Sequence, residues 1–160
     1  MDGKWIYFNS KNNIWRIPAD GGQALQMTFG TDYRANPFDS ADGKYIYYKK
    51  GTTDLIGIYR IPSEGGEESL VFQLKTGNEY YKGAYLTGFE WEPVKDGIYY
   101  KYIMKRGQAA IKFYRFSSGT HLEVLRVEDH NGLLDVSQNG QYLLYSSPNV
   151  SITIPGIGTQ

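Results

Sequence analysis

Short apolar and aromatic runs alternate with clusters of Gly, Asp, Asn and Pro along this chain. Runs of this length, bounded by turn residues, predict β-strands. The pattern also returns on itself. An Asp-Gly pair leads into an aromatic-rich strand, and a second strand then ends in Trp-Arg or Tyr-Arg before a tight turn. The first copy reads Asp2-Gly3-Lys4-Trp5-Ile6-Tyr7-Phe8, then Ile14-Trp15-Arg16-Ile17-Pro18-Ala19-Asp20-Gly21-Gly22. The second reads Asp42-Gly43-Lys44-Tyr45-Ile46-Tyr47-Tyr48, then Ile58-Tyr59-Arg60-Ile61-Pro62-Ser63-Glu64-Gly65-Gly66. A looser third reads Asp96-Gly97-Ile98-Tyr99-Tyr100, then Phe113-Tyr114-Arg115-Phe116-Ser117-Ser118-Gly119. A fourth begins at Asn139-Gly140-Gln141-Tyr142-Leu143-Leu144-Tyr145. All-strand repeats of this kind predict the blades of a β-propeller, each with four antiparallel strands, a to d, from the central channel outward.

Alternation and turn chemistry place the strands. Blade one (1–28) has b at 4–9, c at 13–18 and d at 23–28, with strand a missing. Blade two (35–73) is complete, with a at 35–40, b at 44–49, c at 57–62 and d at 68–73. Blade three (86–127) has a at 86–92, b at 97–104, c at 110–117 and d at 121–127. The incomplete blade four (133–154) has a at 133–137 and b at 141–146, with 151–154 as a candidate c. The whole chain is thus a single partial propeller domain of about 3–3.5 blades. The Asp-Gly and Gly-Gly pairs read as hairpin turns that need positive φ.

These residues resemble the TolB-type, WD-like propeller repeat. The match is carried by Ser40-Ala41-Asp42-Gly43-Lys44-Tyr45-Ile46-Tyr47-Tyr48 and by Ile58-Tyr59-Arg60-Ile61-Pro62-Ser63-Glu64-Gly65-Gly66. Ser137-Gln138-Asn139-Gly140-Gln141-Tyr142-Leu143-Leu144-Tyr145 is a softened copy. Family members usually read Ser-Pro-Asp-Gly at the a–b turn, whereas Ala41 and Gln138 stand at the Pro position here. The resemblance implies a bacterial, periplasmic or secreted setting and a sensor or docking role. It brings no catalytic residue with it.

A half ring exposes sheet edges and apolar blade faces. Two arrangements resolve this. In one, two copies close on each other as a homodimer: strand a of one completing strands b to d of the other gives six blades, the favoured count, and two short blades at each junction give eight. In the other, the chain is a piece of a longer propeller.

Composition narrows the functional classes. The 160 residues include 15 Tyr and 19 Gly, which suits pleated strands and frequent turns. The 17 basic and 17 acidic residues cancel and no basic run occurs, so nothing favours nucleic acid or an anionic membrane as partner. No apolar stretch approaches the roughly 18 residues of a membrane span, and the first residues form no apolar targeting segment. The absence of cysteine excludes disulfides and thiolate metal sites.

Propeller ligands usually meet the d–a and b–c loops, and loops on a rigid scaffold carry recognition. The d–a loops here place Asp32, Tyr33 and Arg34, then Tyr80, Tyr81, Lys82 and Tyr85, then Asp129 and His130. Tyr and Arg are typical interface anchors. Packing on a neighbouring blade is the competing role for Tyr80 and Tyr85. Asp129-His130 beside Glu128 is a weak hint of metal or acid–base chemistry, since consecutive strand residues point to opposite faces. His121 reads as a solvent-facing strand residue. No nucleophile elbow or phosphate loop is present. The expectation is a non-enzymatic binding or scaffold module for a protein, peptide or small ligand, with no cofactor and no metal. A metal-dependent lyase or hydrolase and a ligand-free structural half-propeller are the alternatives.

Overall fold

The computed structural model describes residues 3–52, 55–75, 90–105, 108–127, 134–137 and 139–145. Every regular element among them is a β-strand, arranged in four antiparallel sheets. The first holds β1 (Trp5–Ser10), β2 (Asn13–Pro18) and β3 (Leu25–Gln26). The second holds β4 (Tyr33–Asp39), β5 (Tyr45–Gly51), β6 (Leu55–Pro62) and β7 (Ser69–Lys75). The third holds β8 (Trp91–Val94), β9 (Gly97–Lys105), β10 (Gln108–Arg115) and β11 (Thr120–Val127). The fourth pairs β12 (Leu134–Val136) with β13 (Leu143–Tyr145). Each strand neighbours the next in sequence, which is the meander of a propeller blade.

The core lies between sheets rather than within one. Ile14 of the first sheet and Met27 just after its last strand pack on Ile46, Tyr48 and Ile61 of the second. Tyr47, Ile56, Ile58 and Phe72 of the second pack on Trp91, Ile98 and Tyr100 of the third. Val94, Ala109, Ile111 and Val127 of the third pack on Leu134, Val136 and Tyr145 of the fourth. Successive strand residues point to opposite faces, so a blade held between two neighbours buries both parities. This explains why β5 runs Tyr-Ile-Tyr-Tyr without a polar face: Ile46 and Tyr48 look one way, Tyr47 the other.

Most boundaries shift by a residue or two, and two differences have physical causes. Strand d of the first blade shrinks to Leu25–Gln26, because Met27 and Thr28 turn back to bond the Ile14 carbonyl. Strand a of the second begins at Tyr33, two residues before the expected start at 35 and inside the expected Phe29–Arg34 loop. Its register breaks at Asn36 (φ 52) and Pro37, where Pro has no N–H to give the ladder. The described part of strand a in the third blade begins only at Trp91. The candidate strand at 151–154 lies outside the described residues.

The a–b turns show one motif used twice. Ser40 Oγ donates to Asp42 Oδ1 at 2.7 Å, Lys44 N donates to the same oxygen at 3.1 Å, and Tyr45 N donates to Ser40 Oγ at 2.9 Å. Ser137, Asn139, Gln141 and Tyr142 repeat all three bonds at 2.7, 3.1 and 2.9 Å. Gly43 and Gly140 both take φ 69 to close these turns. The Ser40 hydrogen bond, with the Lys44 amide after it, holds the Asp42 carboxyl below its usual pKa. Because Asn139 serves as well as Asp42, Asp42→Asn is expected to leave Tm nearly unchanged, while Asp42→Ala lowers it; thermal melts of both variants check this.

The third Asp-Gly is a correction. Gly97 does not take positive φ, and Val94 pairs directly with Gly97 across a two-residue turn, Lys95-Asp96. Gly is needed there for space: a Cβ would stand 2.1 Å from the Tyr114 carbonyl oxygen.

Candidate functional site

Of the residues expected at the loop face, Asp32, Tyr33 and Arg34 are described; Tyr80, Tyr81, Lys82, Tyr85, Asp129 and His130 lie outside the described residues. Tyr33 and Arg34 open strand β4 instead of standing in a loop. Tyr33 is 37 % exposed, whereas Arg34 is 3 % exposed. The Arg34 backbone N–H reaches across to the Asn12 carbonyl at 3.2 Å, fixing this strand end against the first sheet.

The residue that organises this end is Glu68, which no sequence motif singled out. Arg34 Nε donates to Glu68 Oε2 at 3.3 Å and Arg34 Nη2 to Oε1 at 3.4 Å. Tyr48 Oη donates to Oε2 at 2.7 Å, and Lys50 Nζ bonds Oε1. Lys50 also meets the Asp32 carboxylate at 3.4 Å and lies 4.8 Å over the Tyr59 ring. Burial alone would raise the Glu68 pKa, but bonds from Lys50, Tyr48 and Arg34 outweigh it and hold the carboxyl below its usual range. Burial, then Glu68, raises the Tyr48 hydroxyl far above its ordinary value. The signal in the sequence was parity: Arg34, Tyr48 and Lys50 share one face of the second sheet because Arg34 pairs with Lys50. The arrangement is a rigid, charge-paired base that presents Asp32 and Tyr33 at its rim.

Antiparallel sheets whose strands follow chain order, each packed on the next, decide the architecture. This is a TolB-type β-propeller fold. The chain superposes on a putative TolB from Agrobacterium tumefaciens with TM-score 0.62 and 16 % identity, covering 91 % of this chain and 56 % of that one. For TolB from Acinetobacter baumannii the TM-score is 0.67 at 14 % identity, covering 89 % and 35 %. An oligogalacturonate lyase from Vibrio parahaemolyticus gives 0.57 at 15 %, covering 80 % and 38 %. The chain therefore spans about half or less of these structures. No family model and no curated protein sequence matches it.

Two further features of the TolB-type scaffold bear on chemistry. Along the inner strands, Tyr7, Phe38, Asp39, Glu92 and Val136 line a cleft of about 360 Å³. Burial, then the nearby Asp39 carboxylate, pushes the Tyr7 hydroxyl up to about 12. Burial, then the Asp135 carboxylate, pushes Glu92 up from 4.5 to about 7. Among the described residues no group of three His, Asp or Glu side chains could hold a metal ion. His121 is an exposed strand residue, as expected, and its Nδ1 also lies 2.8 Å from Tyr100 Oη, with its ring against Phe72 and Tyr114.

Glu92 gives a pH prediction. Its folded pKa lies above the unfolded value, so the folded state keeps a proton that the unfolded chain has lost. The stability this confers is full below about pH 4.5 and disappears as pH rises through about 7. Glu92→Gln is expected to flatten that slope and raise stability at pH 8 by roughly 2 kcal/mol. Urea melts at several pH values check it; equal slopes in both proteins refute it.

Proposed function

We propose that this chain is a non-enzymatic β-propeller binding module whose loop rim recognises a protein or peptide. The observation that carries the reading is the Arg34–Glu68–Lys50–Tyr48 base: it holds the partly exposed Asp32 and Tyr33 on a scaffold whose own charges are paired. A rim fixed in this way loses little conformational entropy on binding. Tyr80, Tyr81, Lys82, Tyr85, Asp129 and His130, which lie outside the described residues, are the further recognition candidates of this reading. Panning a random peptide phage library on the immobilised chain tests it. Enriched peptides are expected to lose binding to an Asp32→Ala/Tyr33→Ala variant that keeps its Tm. Enrichment that survives this variant overturns the site. Release of unsaturated product from polygalacturonate, dependent on added divalent metal, favours the lyase alternative instead.

The partner in assembly is a second copy of the chain. Among the described residues, β1 is paired on one side only, and β12 and β13 form a sheet of two. Because β12 already pairs with β13, closure in six blades requires the partner's strand to replace β13, whereas closure in eight leaves both short sheets in place. Light scattering across a concentration series is expected to give twice the chain mass; a monomer at all concentrations refutes this.

A further inference from the structure

The Arg that ends strand c recurs in two neighbouring clefts, and the two copies do different work. Arg16 is 7 % exposed and lies 4.1 Å over the Trp5 ring. Its Nη1 donates to the Ser63 carbonyl at 2.6 Å and its Nη2 meets the Glu64 carboxylate at 3.6 Å. Arg16 thus bridges the first sheet to the c–d turn of the second.

Arg60 holds the same position one blade on. It pairs with Tyr47 as Arg16 pairs with Tyr7, and it lies 4.3 Å over Tyr45 as Arg16 lies over Trp5. The wall it faces has changed. Phe116 stands where Ser63 stands in the blade before, each giving its N–H to the carbonyl just ahead of strand b: Ser63 to Lys44, Phe116 to Asp96. Pro93 stands where Asp39 stands, each opposite the second residue of strand b. Arg60 therefore meets neither a turn carboxylate nor an inner-strand one. Its Nε donates to Ser69 Oγ at 3.3 Å, and it forms no ion pair among the described residues.

The result is an open cleft of about 530 Å³ between the second and third sheets. Its walls include Tyr45, Tyr47, Tyr114 and Phe116, with Lys95 and the Asp96 carboxylate both exposed at the rim. Tyr47 and Phe116 lie parallel, 5.8 Å apart at 11°. Asp42, which also lines it, is taken by Ser40 and Lys44. An Arg braced on an aromatic ring keeps its donor fork oriented for a carboxylate, and flat aromatic walls suit a ring. We propose that this cleft binds a carboxylate carried on a ring, with Arg60 pairing the carboxylate and Phe116, backed by the buried Tyr47, packing on the ring body. It lies at the opposite end of the strands from Tyr33, which pairs with Gly51 while Tyr45 pairs with Pro62, and so stands apart from the rim.

NMR titration of the full chain tests this with phenylacetate, galacturonate and acetate. The first two separate an aromatic acid from an acidic sugar as the source. At least one is expected to shift the Tyr47 and Phe116 ring signals saturably, with acetate weaker by about tenfold or more. Arg60→Gln is expected to weaken the ring acid about tenfold. Arg16→Gln, at the equivalent repeat position, is expected to lower Tm and leave that affinity unchanged. No saturable shift with either ring acid, equal affinity for acetate, or undiminished binding by Arg60→Gln overturns the proposal. Should Arg60→Gln fail to fold, Phe116→Ser replaces it: this variant is expected to erase the preference over acetate, and its retention overturns the proposal.

Discussion

Gly97→Ala unfolds the protein at a urea concentration well below the midpoint of the parent, with an expected loss of about 3 kcal/mol or more. The added Cβ would stand 2.1 Å from the Tyr114 carbonyl oxygen and 2.4 and 2.6 Å from two Phe113 ring atoms. The ring could swing aside, but its neighbour Tyr99, 4.6 Å away centroid to centroid, restricts it. The carbonyl cannot move, because β9 and β10 pair continuously here, Tyr114 with Ile98 and Arg115 with Gly97. Relief therefore requires the two strands to separate at the start of the hairpin. Gly43→Ala is the informative partner. Its Cβ would meet nothing within 4 Å, and only its φ of 69 opposes a side chain, worth about 1 kcal/mol. Equal losses in the two variants would refute the steric account.

Glu68→Ala is expected to cost about 2–3 kcal/mol, less than the loss on breaking a fully buried pair because Glu68 retains 29 % exposure. The loss comes from what remains: a guanidinium 3 % exposed that keeps the Asp32 carbonyl but loses its carboxylate, together with the buried Tyr48 hydroxyl deprived of its acceptor. Arg34→Met is expected to cost less, since Glu68 then keeps Tyr48 and Lys50 and reaches solvent. The sign of the pH effect follows from the lowered carboxyl. Glu68 stabilises the fold above the ordinary carboxylate range, and that contribution is lost as pH falls through its folded value. Glu68→Gln should thus be less sensitive to acid than the parent between neutral pH and the carboxylate range. Chemical denaturation of the three variants at neutral and acidic pH gives both comparisons; a larger loss in Arg34→Met than in Glu68→Ala sinks the argument.

The blades were legible because their signals are local. Asp42-Gly43 and Asn139-Gly140 name their turns through side-chain bonds two and five residues apart. Tyr45 to Tyr48 name a strand through a run of aromatics. Asp96-Gly97 misled for the same reason: the dipeptide is shared, but the turn around it is two residues shorter, which only the pairing of Val94 with Gly97 reveals. The candidate site was half legible. Asp32, Tyr33 and Arg34 drew attention as a charged aromatic cluster. That Arg34 would be buried depended on Glu68, 34 residues away, across three strands of one sheet. The different roles of Arg16 and Arg60 depended on Ser63 and Phe116 in the next blade, so two copies of one motif looked alike.

Cores that lie between sheets make each blade's order a property of its neighbours. The chain then behaves as a short row of linked units, each supported by those on either side. The middle of the row should open least often. Amide deuterium exchange is therefore expected to be slowest in β5 and β6, which carry buried residues toward both neighbours, and faster in β3 and β13. Duplication or loss of a blade would add or remove one contact surface in the interior of the row, but would move the exposed face only at its ends. In that sense the repeat is a unit of inheritance before it is a unit of stability.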